Sequence, residues 1–462
     1  MATLDCNLNS VVADDLARKK SPNRDGSRDL PEKTFVARNS PLTDIFAENQ
    51  LIYNVFAAAL ILVFADEVLT TFVESGRIDL KLREVLSGLR GLSVNLLVWS
   101  CMQISTLCVY FCFIGWIYGR RKFEDGTKKW LDISCFCGLV IYQVTFVTVT
   151  IKVVLLLDLS PVSSMCILME MTRFVMKIHA FVRSSSSEVL KDNSTRPTFH
   201  QFVYFLFAPT LIYRNEYPRT ATIRWRVVLK HALEVTILLY MCYIFSGTSA
   251  LFNRFGVVPI STGTVLHNEF LSILPTSVFF LCGLYALMHS WLNAWAEALR
   301  FADRLFYRDW WNVTSFAGFV RCQNVVVHNF LYTYMYKDFY DHVLRSRRAA
   351  SIVAFAVSGL VHELLLAVAF RFIYPIMLGQ FVVMGLLTAN VNLGNVFFLA
   401  SLTFTNGVEV SLYSMEYYAR RNCLEVVDSV GRWSLEGLVP VSWTCGAVSS
   451  FDGNWTVQAP WS

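Results

Sequence analysis

The chain has 462 residues, of which 55% are hydrophobic and 16% charged, with a formal net charge of +5 and a mean hydropathy of +0.45. That is more apolar surface than a soluble core of this length can hide, which excludes an ordinary soluble globular protein and predicts an all-α polytopic membrane protein. Membrane lipids are the expected surroundings, and no nucleic-acid partner is expected.

In chain order, residues 1–48 are polar, beginning with Asp5, Asp14, Asp15, Arg18, Lys19 and Lys20 and containing SPNRDGSRDLPEK. They have no early apolar core and no small-residue cleavage site, so the reading is a disordered cytosolic segment rather than a signal peptide. Apolar stretches of about 20 residues, enough to cross roughly 30 Å of hydrocarbon, then recur. Nine are predicted, near 52–73, 92–118, 130–157, 160–182, 227–250, 266–299, 350–372, 374–390 and 393–418.

Cations set the orientation. GRRK at 119–122 follows the second stretch, Arg183, Lys191, Arg196, Arg214, Arg219, Arg224 and Arg226 follow the fourth, and Arg300, Arg304, Arg308, Arg345, Arg347 and Arg348 lie between the sixth and seventh. A cytosolic N-terminus puts all three groups inside. An odd span count then makes residues 423–462 a lumenal tail, against the weaker vote of Arg420 and Arg421. Eight cysteines, Cys101, Cys108, Cys112, Cys135, Cys137, Cys166, Cys242 and Cys282, sit in apolar spans as small hydrophobes with no metal-site spacing. Cys423 and Cys445 share the tail, where an oxidising lumen permits a disulfide. Asn454 in NWT is then open to glycosylation, and Asn193 in NST faces the cytosol.

Residues 301–348 mix aromatics with cations and are expected at the membrane surface. From Gln323 to Phe339, Val326, Phe330, Tyr334 and Phe339 approximate one helical stripe, while Asn324 and His328 share another face. In the seventh stretch, His362 stands within SIVAFAVSGLVHELLLAVAF. Lipid is a poor solvent for an ionisable side chain, so a buried imidazole there reads as functional, a candidate base beside Glu363. Neighbours on a helix point about 100° apart, so Glu363 receives no assigned role.

FYRDWWN at 306–312, NVVVH at 324–328 and SGLVHE at 358–363 resemble the membrane-bound O-acyltransferase family, in its sterol and diacylglycerol acyltransferase branch. The resemblance extends through YFLFAPTLIYRNEYPR at 204–219, HSWLNAWAEALRFADR at 289–304 and SWTC at 442–445. It thus covers a catalytic domain at 49–422 and reaches into the tail. NVVVHNFLYTYMYKDF is similar to the sterol enzymes, and so is the Cys423 and Cys445 pair. Gln323 departs from the tryptophan common before NVVVH.

The resemblance implies transfer of a long-chain fatty acyl group from acyl-CoA to a sterol hydroxyl in the endoplasmic reticulum membrane, with acyl-CoA as co-substrate and no resident cofactor or metal. It implies His362 as base, with Asn324 as candidate donor to the thioester oxygen. His328, Tyr336, Arg348 and Ser358 would line the acyl-CoA tunnel, and Trp310, Trp311 and Asn312 would shape it as part of the motif that includes Phe306, Tyr307 and Asp309. His289 and Asn293 are candidates for a sterol opening. A homodimer or dimer of dimers is the implied assembly. Diacylglycerol acylation is the alternative reaction. A transporter is the competing class, disfavoured because no internal repeat or matched pair of broken helices is visible.

Overall fold

A computed structural model of the chain describes residues 33–78, 80, 91–192, 196–246, 262–383, 391–423 and 440–444. Among them the structure is helical, and the only extended pairings are isolated bridges joining Arg38 to Asp303 and Arg219 to Phe301. A short α1 (Pro41–Glu48) leads into α2 (Gln50–Ser75), α3 (Leu92–Lys122), α4 (Asp125–Leu156), α5 (Pro161–Lys191) and α6 (Phe199–Phe207). Then come α7 (Trp225–Ser246) and α8 (Thr262–Leu284), the latter running through a π-helical turn, Tyr285–Trp291, into α9 (Leu292–Ala298). After the 3-10 turn Trp310–Asn312 follow α10 (Phe316–Gln323) and α11 (Val325–Phe330), which continues as π-helical segments Leu331–Tyr336 and Tyr340–Leu344. The chain ends in α12 (Arg347–Phe370), α13 (Ile376–Val382), α14 (Asn395–Asn422) and α15 (Val441–Thr444).

Six of the nine predicted stretches are helices long and apolar enough to cross a membrane: those at Gln50–Val73, Leu92–Lys122, Asp125–Leu156, Val265–Ala298, Arg347–Phe370 and Asn395–Asn422. The other three differ for identifiable reasons. α5 carries Glu170, Arg173 and Lys177 through its middle, α7 carries Arg226, Lys230 and Glu234, and α13 spans only seven described residues, with 384–390 outside the description.

The charges on α5 explain how it is tolerated. Arg173 Nη1 donates to Leu206 O at 2.6 Å and Lys177 Nζ to Ala208 O at 2.7 Å. These carbonyls stand at the C-terminus of α6, where helix geometry leaves the last carbonyls unbonded and cations are favoured. Phe174, Phe181, Phe202, Phe205 and Tyr213 are fully buried around this junction. Aromatic contacts such as Phe181 against Phe202, 4.4 Å between centroids, lock α5 to α6.

Residues 33–48, predicted as part of a disordered segment, depart from that reading. Arg38 N donates to Ala302 O and Arg304 N to Arg38 O, Arg38 Nε donates to Asp303 at 2.8 Å, and Ser40 is completely buried. The physical reason is local: Ser40 finds buried polar partners on α9 and its preceding turn, and Pro41 at the first turn starts α1. Residues 1–32, Asn193, Cys445 and Asn454 lie outside the described residues.

Candidate active site

The site is assembled from two packed elements. α12 lies against the π-helical segments Leu331–Tyr336 and Tyr340–Leu344. The predicted residues Arg348, Ser358 and His362 belong to α12, Tyr336 ends the first segment packed against it, and Asn324 and His328 precede that segment in the chain.

α12 is built around small residues. Ala350, Ala354, Gly359 and Ala367 are buried, and Glu363, four residues from both Gly359 and Ala367, falls on the face of those two. A side chain at Gly359 would come within 3.1 Å of Phe381 Cβ and 3.2 Å of Leu378 Cδ1, so glycine lets α13 approach closely. That approach places the Phe381 ring 5.1 Å from the imidazole of His362.

His362 itself corrects one expectation: it is exposed in the isolated chain, not buried. The face of α12 that meets its neighbours passes through Glu363, one residue and about 100° away. Among the described residues, one nitrogen of His362 has a hydrogen-bond partner: Nδ1 lies 2.7 Å from Ser358 O. A backbone carbonyl only accepts, so in the neutral ring Nδ1 carries the hydrogen and Nε2 the lone pair. The helix therefore fixes the tautomer that can take a proton at Nε2.

Glu363 has a different task. Its Oε2 accepts from Leu378 N at 3.1 Å, and the Tyr413 hydroxyl lies 3.1 and 3.2 Å from its two oxygens and 2.8 Å from Tyr374 O. The carboxylate thus clasps α12 to α13 and α14, a role the sequence did not disclose.

Asn324 sits between α10 and α11 with Oδ1 accepting from Val327 N at 3.1 Å, an N-cap. With the oxygen so engaged, the amide NH2 is the donor that the side chain has left. From His328 the aromatic residues recur every fourth position. His328, Tyr332, Tyr336 and Tyr340 stack with centroids 6.5, 5.5 and 6.3 Å apart, and Arg347 stands 6.0 Å above the Tyr340 ring. Tyr332 and Tyr340 were missed in the sequence, although i, i+4 tyrosines in YTYMYKDFY were the visible signal. Arg183 holds this run from α5 through a bidentate pair with Asp338, at 3.0 and 2.9 Å. Arg348 is exposed at the start of α12, whose N-cap Ser346 accepts from Ala349 N.

FYRDWWN is scaffold. Phe306 and Tyr307 are buried, Val325 N donates to Phe306 O at 2.9 Å, and Arg308 N donates to Cys322 O at 2.7 Å, tying the motif to α10 and α11. Trp310 packs on Phe280 and Phe319. Asn395 Nδ2 donates to Trp311 O at 2.7 Å and to Val313 O at 3.1 Å, which joins α14 to the turn. Asp309 caps no side of that turn, and Asn312 is exposed.

His289 and Asn293, the candidates for a sterol opening, are both buried in a hydrogen-bonded network. His289 Nδ1 lies 2.7 Å from Tyr307 Oη, and Asn293 Nδ2 donates to Ser40 Oγ at 3.0 Å and to His289 O at 2.8 Å. The π-helical turn that carries His289 turns both side chains toward the N-terminal segment. Burial pushes the Tyr307 phenol well above its usual pKa, so it stays protonated in this network.

At the other end of the bundle, Glu416 is fully buried and accepts from Val441 N and Ser442 N, both at 3.0 Å, which docks the SWT of SWTC on α14. Cys423 is disulfide-bonded, and its predicted partner, Cys445, lies outside the described residues.

The family profile of the membrane-bound O-acyltransferases matches residues 95–414. The chain belongs to the membrane-bound O-acyltransferase family. The chain is 36% identical over 433 residues to sterol O-acyltransferase 1 of Rattus norvegicus, covering 89% of this chain and 78% of that relative. Sterol O-acyltransferase 1 of Cricetulus griseus is 37% identical with the same coverage, and sterol O-acyltransferase 2 of Homo sapiens is 33% identical, covering 90% of this chain and 80% of the relative. The matched region of the family runs from α3 to α14 and so contains both elements of the site.

Proposed function

We propose that this enzyme transfers a long-chain fatty acyl group from acyl-CoA to the 3-hydroxyl of a sterol such as cholesterol, forming a sterol ester for storage. The observation that carries the chemistry is the fixed tautomer of His362. Its hydrogen is held at Nδ1 by Ser358 O, and Nε2 is left as a proton acceptor.

A sterol hydroxyl ionises far above neutral pH, so it attacks a thioester only as a base removes its proton. The hydroxyl oxygen bonds to the thioester carbon while His362 Nε2 takes the proton. The carbon–sulfur bond then breaks, and the imidazolium returns the proton to the departing CoA thiolate. Negative charge on the former carbonyl oxygen is met by the NH2 of Asn324, a contribution typically worth about 100-fold to 1,000-fold in rate.

The stacked row of His328, Tyr332, Tyr336 and Tyr340 offers an aromatic wall to acyl-CoA, with Arg347 and Arg348 at its end for phosphate. Ser358 lies one turn before His362 on the same path. The scheme needs no resident cofactor. We assign the enzyme to the endoplasmic reticulum membrane, as a homodimer or dimer of dimers, with a cytosolic N-terminus and a lumenal C-terminus carrying a Cys423 to Cys445 disulfide.

The test is acceptor choice. Purified protein in detergent receives radiolabelled oleoyl-CoA with cholesterol, with diacylglycerol, or alone. Label in sterol ester supports the proposal, label in triacylglycerol moves the acceptor to diacylglycerol, and free CoA without ester in any arm overturns acyl transfer to a lipid alcohol.

A further inference from the structure

The segment that precedes α1 is tied to the reaction site through the backbone. Arg38 N donates to Ala302 O at 2.9 Å, and Arg304 N donates to Arg38 O at 3.0 Å. Two residues further on, Phe306 N donates to Arg304 O at 3.0 Å, and Phe306 O accepts from Val325 N at 2.9 Å. Val325 is the first residue of α11 and Asn324 is its N-cap. The path from Arg38 to Asn324 therefore runs through backbone hydrogen bonds and short stretches of chain, with no side chain in it.

Side chains fasten the same segment. Asp303 is 5% exposed, with Arg38 Nε at 2.8 Å and Lys33 Nζ at 3.4 Å. The Phe35 ring meets Tyr217 edge-on, centroids 5.1 Å apart, and Phe301 at 6.3 Å. Phe35, Leu42 and Val326 pack on one buried cluster that holds Phe301, Phe306 and Tyr307. A cavity of about 20 Å³ lies between the segment and α11, with Lys33, Phe35, Asp303, Val326 and Asn329 among its walls, so the two are packed with little slack. On α11, Val326 and His328 point about 160° apart, at about 100° per residue, and the segment backs the helix on the side away from His328.

We infer that Arg38 and Phe35 are positioning residues for acyl transfer: the docked segment fixes the start of α11 and so places the Asn324 NH2 against the thioester oxygen. The inference deepens the proposed reaction and rests on Asn324 as its donor. Without Arg38, a buried carboxylate is left to Lys33 alone, and a buried pair broken from one side is unfavourable. Residues 301–306 would then loosen and pass the displacement to Val325, and a misplacement of about 1 Å is already costly to a reaction.

The test is a double-mutant cycle on full-length protein in detergent. Initial rates of CoA release from oleoyl-CoA are measured with cholesterol and with diacylglycerol, so the cycle is readable whichever alcohol accepts. Arg38→Ala is expected to lower kcat on the order of tenfold with the acceptor KM unchanged, and Arg38→Lys to restore most of the loss. Asn324→Asp is about 100-fold slower than wild type, and adding Arg38→Ala to it should slow it no further, because the donor that Arg38 places is already gone. Phe35→Leu enters the same cycle, with the same expectation, where Arg38→Ala fails to accumulate. Losses that multiply in the double variant, or a wild-type kcat in both Arg38→Ala and Phe35→Leu, overturn the inference and leave the proposed reaction standing. A wild-type kcat in Asn324→Asp removes the donor and the inference with it.

Discussion

At the scale of single residues, the site divides its polar groups between structure and chemistry. Asn324 caps α11 with its oxygen, and in the proposed reaction its NH2 is the donor to the thioester oxygen. Asn324→Asp keeps a capping oxygen and removes the donors, so it should fold with an unchanged melting temperature and lose about 100-fold in kcat. Asn324→Ala loses the cap as well, and its melting temperature should fall with its activity. Equal activity of Asn324→Asp and wild type would confine Asn324 to the cap. Glu363 is the converse. Removing its carboxylate strands Leu378 N, while the Tyr413 hydroxyl keeps Tyr374 O, so Glu363→Ala should destabilise the protein by about 1 to 3 kcal/mol. Glu363→Gln retains an acceptor and should unfold between the two in detergent melting curves; full stability of Glu363→Ala would contradict the clasp.

At the scale of elements, the residue types legible in the sequence were those whose pattern is local. The helices at Leu92–Lys122, Asp125–Leu156 and Arg347–Phe370 follow from apolar runs of spanning length. His362 stood out because an ionisable group in an apolar setting needs a reason, and Asn324 through the NVVVH motif of the resemblance. What the sequence hid was contact between distant segments. Ser40 lies in a stretch with the composition of disorder, yet its burial depends on Asn293 and His289, about 250 positions away. The exposure of His362 likewise depends on which face of α12 Gly359 and Glu363 give to α13 and α14, a tertiary choice that periodicity does not fix. The N-terminal latch carries its own expectation. Ser40→Ala removes the acceptor of Asn293 Nδ2 and should lower stability by about 1 to 3 kcal/mol, with protease cleavage appearing between residues 33 and 48. Resistance equal to wild type would show that the latch is held by Arg38 and Asp303 alone.

At the scale of the whole molecule, α12, a helix long and apolar enough to cross a membrane, carries His362 and packs against an aromatic and cationic run. This arrangement suits a reaction whose acceptor dissolves in lipid and whose donor carries phosphates. The proposed topology places the tail in the lumen. The tail beyond α14 should receive glycan at Asn454 and hold Cys423 and Cys445 oxidised. Endoglycosidase shift and non-reducing peptide mapping check both, and free thiols at the two cysteines would oppose a lumenal tail. The central claim is that His362 is the base of acyl transfer to a sterol. Its most direct test is sterol ester formation from oleoyl-CoA and cholesterol in microsomes bearing equal amounts of wild type or His362→Ala. The account predicts ester with wild type and its near-complete loss in the variant, by at least about 100-fold; ester formation that survives His362→Ala would contradict it.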